Sequence, residues 1–364
     1  MRRERVREHD DALPSWSSFA KSVTEICSDR PGHHRVGLAL SSVPDDTLLA
    51  QDQGAWAVKG KLLGKPGEKA KDISGIACAV PQGFPRPCVV IDDNSQGAQF
   101  ITVNDGAIVA GASIPLIDNS FEGKALELDG EGVAYADGFY YVIGSHGHPR
   151  DSDHKLDPVR DAEKIKARIA AASQIVRFRT NPDGTAAAIE RSDGLRAIMA
   201  AEPALAPYLD RRLENNGLTI EGIAVRNGRI LVGYREPMLS NGRAAVLSVA
   251  VEALFGSAPA DARLYRLPLG EGRGVRDLAV SGDSVLVLAG PATSDPGPAA
   301  IYRWDGGSEE VLRLKDLAAL VGADGTRKAE ALLPLDESPS GLRVLILFDG
   351  EKEGAPAVIT IPRP

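Results

Sequence analysis

Four acidic residues stand at matching places in this 364-residue chain: Glu131 in GEGVAYAD, Glu221 in TIEGIAVRN, Asp277 in GVRDLAVSG and Glu330 in RKAEALLPL. Ser74, in DISGIACAV, begins the same column. Carboxylates brought together from separate segments supply the hard oxygen ligands that Ca²⁺ or Mg²⁺ takes. They cannot all ionise side by side without a cation or hydrogen-bond donors, so the opposing reading is that each accepts backbone amides or pairs with Arg235 or Arg276. His146 ends the apolar run FYYVIGS and suits a general base or a metal ligand. Arg235 ends the equivalent run RILVGYR. Its planar fork fits a substrate carboxylate or phosphate, or else neutralises the acids.

The run HGHPRDSDH, residues 146–154, invites comparison with the di-zinc pattern H-x-H-x-D-H. Four residues rather than one separate His148 from Asp153, so a solvated loop is the reading. Ser145 and His146 are neighbours on a strand and face opposite ways, which disfavours a Ser-His pair. No nucleophile elbow, Walker loop, C-x-x-C pair or dinucleotide fingerprint occurs in the right context.

The elements that must position these residues are strands. Asp137-Gly138 and Asn227-Gly228 sit between apolar runs and predict tight hairpins, because both dipeptides accept positive φ. The column recurs at about 55-residue spacing, apart from one long interval between Glu131 and Glu221. That interval holds two helix-like insertions, at about 155–174 and 195–213. Each unit carries four strand signals, which predicts an all-β, β-propeller fold over residues 34–364, with residues 1–33 as a tail or capping arm. Five blades are countable, and a sixth is the alternative if 34–63 folds as one. The last unit shows only three strands, and GAWAVKGKLL at 54–63 is expected to supply its fourth, closing the ring. A pair of β-sandwiches would lack such a period.

In a propeller the first strand of each blade lines the channel and the second runs back beside it. The acids therefore form a ring at one mouth, with Asp92, Asp93, His146, Arg235 and Asp349 around them. Both insertions leave from that face as a lid. The net charge of −8, with no cationic stripe, argues against nucleic acid or an anionic membrane as partner. No apolar stretch is long enough to span a bilayer, and the start MRRERVREHDDALPSW lacks the apolar core of a secretory signal. Cys27, Cys78 and Cys88 are read as free thiols, which with the rest implies a bacterial cytoplasmic protein.

GEGVAYADGFYYVIGSHG and LTIEGIAVRNGRILVGYREP together resemble the paired signatures of an uncharacterised bacterial domain-of-unknown-function family with propeller-like repeats. That resemblance covers about residues 70–350 and implies a fold without a mechanism. Glu-Gly opening an inner strand is also similar to the phytase-like esterase and calcium-dependent lactonase propellers. Such a resemblance implies a metal-ligand role at Glu131 and Glu221. The expectation is a metal-assisted hydrolase of a small ester, lactone or phosphoester. Glu131, Glu221, Asp277 and Glu330 would hold Ca²⁺ or Mg²⁺, with His146 as base and Arg235 as anchor. The alternative is a non-catalytic propeller that binds a protein or small ligand on the same face. A glycosidase would need an aromatic platform, and aromatic residues are only 5% of the chain.

Overall fold

Asp137 and Asn227 take positive φ, each followed by a positive-φ glycine. These two-residue turns pair Gly130–Ala136 with Phe139–Gly144, and Thr219–Arg226 with Arg229–Glu236. Paired positive φ matches the twist of the flanking strands, so both hairpins form as the dipeptides predict. The computed structural model describes residues 54–150, 156–181, 183–322 and 325–362.

The strands build five four-stranded antiparallel blades. Blade one runs Ile73–Cys78, Arg86–Asp92, Gly97–Asn104 and Ala107–Pro115; blade two runs Gly130–Ala136, Phe139–Gly144, Ile175–Thr180 and Ala186–Ser192. Blade three is Thr219–Arg226, Arg229–Glu236, Ala244–Ala250 and Arg263–Leu267; blade four is Arg273–Ser281, Ser284–Pro291, Ala300–Trp304 and Val311–Asp316. Blade five uses Lys328–Ser338, Gly341–Asp349 and Ala357–Ile361, and takes Gly54–Ala55 as its outer strand. The first strands pack side by side in sequence order, and that of blade five meets that of blade one, closing the ring. Apolar faces of adjacent blades fill the space between them, as where Trp304, Tyr302 and Val287 meet Leu231, Val246 and Leu267.

The expected closing strand is divided between two blades. After Gly54–Ala55, the Trp56 amide donates to the Pro356 carbonyl at 2.9 Å, and Ala57–Lys59 then pairs in parallel with Ala107–Pro115 of blade one. One short segment thereby covers the outer edges of the two blades that the chain ends would leave open. The expected arm at 1–33, a blade before residue 54, and Cys27 lie outside the described residues.

The free-thiol expectation is corrected for Cys78 and Cys88, which form a disulfide across the first two strands of blade one. They occupy directly opposed positions, which is what brings the sulfurs together, and the argument from reduced thiols for a reducing compartment goes with it. Among the described residues no helix is long and apolar enough to cross a membrane. The two insertions do contain helices, Ala162–Ala172 and Leu195–Ala201. The first buries Ile165, Ala171 and Ala172, while the second sends Leu195 and Met199 into the cluster around Ile220 and Tyr234.

Candidate functional site

Each first strand carries a β-bulge near its start, and the bulged residue is the one aimed at the channel mouth. The pairing skips Ser74 in blade one, Glu131 in blade two, Glu221 in blade three and Glu330 in blade five. A bulge leaves one residue out of the ladder and re-aims its side chain. The following glycines are required by crowding. A Cβ on Gly75 would lie 2.7 Å from Gly132 Cα, and one on Gly222 only 3.0 Å from Asp277 Cα. The Glu-Gly dipeptide thus joins a polar residue at the mouth to the close approach of neighbouring first strands.

Blade four corrects the column by one residue. Its pairing skips Arg276, not Asp277. Asp277 falls in the glycine position and turns toward the next blade, where its two oxygens accept the amides of Leu278 and Leu332, each at 2.7 Å. Asp277 is therefore a blade-to-blade tie. Burial drives its carboxyl well above the ordinary range, against the pull of those two amides.

Arg276 takes the ring position and neutralises two of the expected ligands. Its Nε donates to Glu330 Oε2 at 2.6 Å, and its terminal nitrogen stands 3.7 Å from Glu221 Oε2. Arg235 donates to Glu221 Oε1 at 3.2 Å and spends its other nitrogens on the Ala292 and Thr293 carbonyls at 2.8 and 2.7 Å. Its fork is filled, so the anchoring role expected for a substrate anion has no free nitrogen to use. Burial alone would raise Glu221, but Arg276, Arg235 and Arg150 outweigh it and hold the carboxyl below its usual value. The half of the mouth formed by blades three to five is thus balanced by its own arginines.

The half formed by blades one and two is acidic. Glu131 is 4% exposed, and among the described residues no hydrogen bond or ion pair reaches its carboxylate. One of its oxygens shares a space with one each from Asp93 and Asp129, the three within 4.8 Å of one another. Asp93 also belongs to a second group, with Asp72 and Asp92, of the same closeness. Asp129 adopts positive φ just before the first strand of blade two and accepts the Ser145 hydroxyl, which also accepts the Gly147 amide at 3.1 Å. Burial, then the charges of Glu221, Asp129 and Asp93, hold Glu131 well above the ordinary carboxylate range. Asp93 is pushed up to about 9 by burial and by Asp129, Asp72, Asp92 and Asp349. A cavity of about 480 Å³ opens here, lined among others by Asp72, Asp93, Asp129, Arg150, Arg168 and Lys328. The helix Ala162–Ala172 borders it through Arg168 and Ala172, as expected of the first insertion. Burial disfavours the charge on Arg150, yet Glu221, Glu131, Asp129 and Asp93 together keep it firmly protonated.

His146 is not brought into this cavity. The ring is fully buried, its Nδ1 lies 2.9 Å from the Gly144 carbonyl oxygen, and its Nε2 has no partner. Burial lowers it to about 4, so it is neutral and surrounded by protein. A positive φ at His146 turns the chain off the strand end and takes the side chain away from the mouth. His148 is half-buried with its Nδ1 3.1 Å from the Pro149 carbonyl, and Asp151, Asp153 and His154 lie outside the described residues. The opposite end of the channel is a hollow of about 370 Å³ walled largely by apolar residues such as Val80, Tyr135, Val225 and Val280.

A family model described as "Protein of unknown function (DUF3616)" matches residues 103–355. The chain belongs to the DUF3616 family. Comparison with curated proteins returns no match for this DUF3616 protein. Among solved structures, the DUF3616 chain is similar to virginiamycin B lyase from Staphylococcus aureus, with 14% identity over 83% of this chain and 74% of that one, at a TM-score of 0.34. It is also similar to an exo-β-1,3-galactanase from Clostridium thermocellum, with 14% identity over 84% and 62% of the two chains and a TM-score of 0.37. Trypanosoma rangeli sialidase shares 10% identity over 79% of this chain and 46% of its own, at a TM-score of 0.39.

Proposed function

We propose that this DUF3616 protein is a divalent-cation-dependent hydrolase of a small ester, lactone or phosphoester, working at the acidic half of the channel mouth. Asp93, Asp129 and Glu131 are the ligands of a Ca²⁺ or Mg²⁺ ion. The observation that supports this reading is the buried carboxylate of Glu131, without a hydrogen-bond or ion-pair partner among the described residues, facing two more carboxylates within 4.8 Å. A protein that needed Glu131 only for packing would be more stable with an uncharged residue there, since an unpaired buried carboxylate is costly. A bound cation removes that cost.

Held by Asp93, Asp129 and Glu131, a divalent cation would supply Lewis-acid chemistry, activating a water and polarising a carbonyl or phosphoryl oxygen of the substrate. Arg150, Arg168 and Lys328 line the same cavity and attract an anionic substrate to it. With Arg235 filled and His146 buried elsewhere, proton transfer falls to carboxyls lining the cavity. The activity test is a panel of p-nitrophenyl esters, lactones and phosphoesters, assayed with chelator and with Ca²⁺, Mg²⁺ or Mn²⁺. Cation-restored turnover that Asp93→Asn abolishes is the expected result; turnover indifferent to chelation would overturn the proposal.

A second reading, a non-catalytic propeller that binds a ligand on this face, draws on the arginine-balanced half of the mouth, where Glu221 and Glu330 already have partners. Cation binding without turnover of any substrate in the panel would favour it.

A further inference from the structure

We infer that the hollow at the far end of the channel from the acidic cluster binds a small amphipathic carboxylate, with its carboxylate on Arg86 and its apolar chain against the hollow's walls. This site is separate from the proposed cation site and needs no metal. Arg86 opens the second strand of blade one, lines the hollow and is 1% exposed. Its guanidinium is partnered on one side only. Nη1 donates to the Pro81 and Pro334 carbonyls at 2.9 and 3.2 Å, and the guanidinium carbon lies 5.3 Å from the centre of the Phe84 ring. Nε and Nη2 are buried and have no partner among the described residues. Those two nitrogens form one edge of the planar group, the edge that can donate to both oxygens of a carboxylate.

No neighbouring acid fills that edge. Asp336, whose charge acts on Arg86, gives its two oxygens to Arg343 Nε and Nη2, at 2.9 and 2.6 Å. Glu337, which also lines the hollow, is exposed. Burial works against the charge on Arg86, and Asp336 offsets only part of that. Arg235 shows the contrast, since its Nε, Nη1 and Nη2 each have an acceptor within the chain. A guanidinium edge sealed from water without acceptors is costly, and a ligand carboxylate removes that cost through two charge-assisted hydrogen bonds.

The hollow suits the rest of such a molecule. Each blade gives it an apolar residue from its first strand: Ile76, Val133, Val225, Leu278 and Leu333. Val80 and Val280, on the same walls, are 40% and 39% exposed, apolar surface that a bound chain would cover. The volume of about 370 Å³ lies within the range of small-molecule pockets, and at about 30 Å³ per water-sized group it has room for about a dozen non-hydrogen atoms. Arg86 is the one Lys or Arg among the described residues lining the hollow, so a single negative charge is what it can match. A fatty acid or arylalkanoate of roughly eight carbons meets all of these conditions.

Octanoate is the probe, with octanol as the same chain lacking a carboxylate. The full chain, kept in chelator, is titrated with each by calorimetry. The parent is expected to bind one octanoate, about tenfold or more tighter than octanol, as hydrogen bonds to a charged group warrant. Arg86→Lys keeps the charge but lacks the two-nitrogen edge, and should bring octanoate close to the octanol level. Val280→Trp crowds the hollow while leaving Arg86 intact, and should weaken both ligands. Octanol bound as tightly as octanoate by the parent would overturn the role of Arg86. Octanoate binding unchanged in both variants would overturn its placement in the hollow, and no saturable octanoate binding would remove the site. The parent comparison decides the matter even if Arg86→Lys does not fold, and no outcome bears on the cation site.

Discussion

Replacing Glu131 by glutamine should stabilise the cation-free protein and blunt its response to divalent cations. The two effects have opposite signs, and a residue with a purely structural role would not give both. One carboxylate oxygen from each of Glu131, Asp93 and Asp129 lies within 4.8 Å of the others. At that distance, with an effective dielectric constant of about 20, each ionised pair repels by about 3.5 kcal/mol. The protein escapes by keeping carboxyls protonated, so the cost of Glu131 at pH 8 is capped by the work of holding one carboxyl neutral, about 5 kcal/mol. Glutamine keeps the shape and removes the charge, but its amide still lacks partners, which takes back part of the gain. A net gain of roughly 2–4 kcal/mol follows, or roughly 3–5 °C in Tm for a chain of this size. Saturating cation reverses the order. At a concentration of a hundred times Kd, the parent gains about 2.7 kcal/mol that the variant largely loses. Thermal denaturation at pH 8, with chelator and then with millimolar Ca²⁺, reads both effects. A variant less stable than the parent in chelator, or one gaining as much from Ca²⁺, would refute the reasoning.

Other residues give distinct signatures. Arg276→Met strands Glu221 and Glu330 without their shared cation and should cost about 3–5 kcal/mol, measured by urea unfolding; adding Glu221→Gln and Glu330→Gln should restore most of it. Asp277→Asn leaves a single acceptor oxygen for the Leu278 and Leu332 amides, so a loss of about 1–3 kcal/mol is expected, with the cation titration unmoved. The cation-free protein should lose stability as pH rises. Asp93, raised to about 9, and Glu131 and Asp129, also raised, favour their neutral forms in the folded state. Their contribution is complete below the ordinary carboxylate values, near 4, and disappears as pH climbs through the folded values. Urea midpoints at pH 5, 7 and 9 should fall in that order with chelator, and saturating cation should flatten the trend; a rise with pH would contradict it.

The fold was legible because its local rules agree. Asp-Gly and Asn-Gly turns, a repeated bulge-and-glycine opening and four strands per unit all demand the same architecture. The site was legible only in part. Column spacing found Glu131, but a slip of one residue in blade four exchanged Asp277 for Arg276. In the structure that exchange turns a ring of acids into a set of ion pairs. The sequence around it, VRDLA, carries Arg where the other blades carry Ser or Glu, and Asp where most carry Gly. Asp72 and Asp129 were missed, although each precedes its column residue by two positions, as D-x-S and D-x-E, and the same offset gives Thr219, Gly274 and Lys328 in the other blades. That offset is the signal for an acidic half. The fate of His146 had no comparable signal, since a positive φ at a strand end depends on what packs around it.

The central claim is that Asp93, Asp129 and Glu131 hold a divalent cation used for hydrolysis. The most direct measurement is turnover of the best substrate in the panel by the stripped full chain, followed as Ca²⁺ or Mg²⁺ is returned, with bound metal quantified in the same samples. Turnover that rises in step with occupancy, and that is lost together with the metal in Asp93→Asn, is the predicted result. Full turnover from metal-free protein, or stoichiometric cation retained by Asp93→Asn, would contradict it.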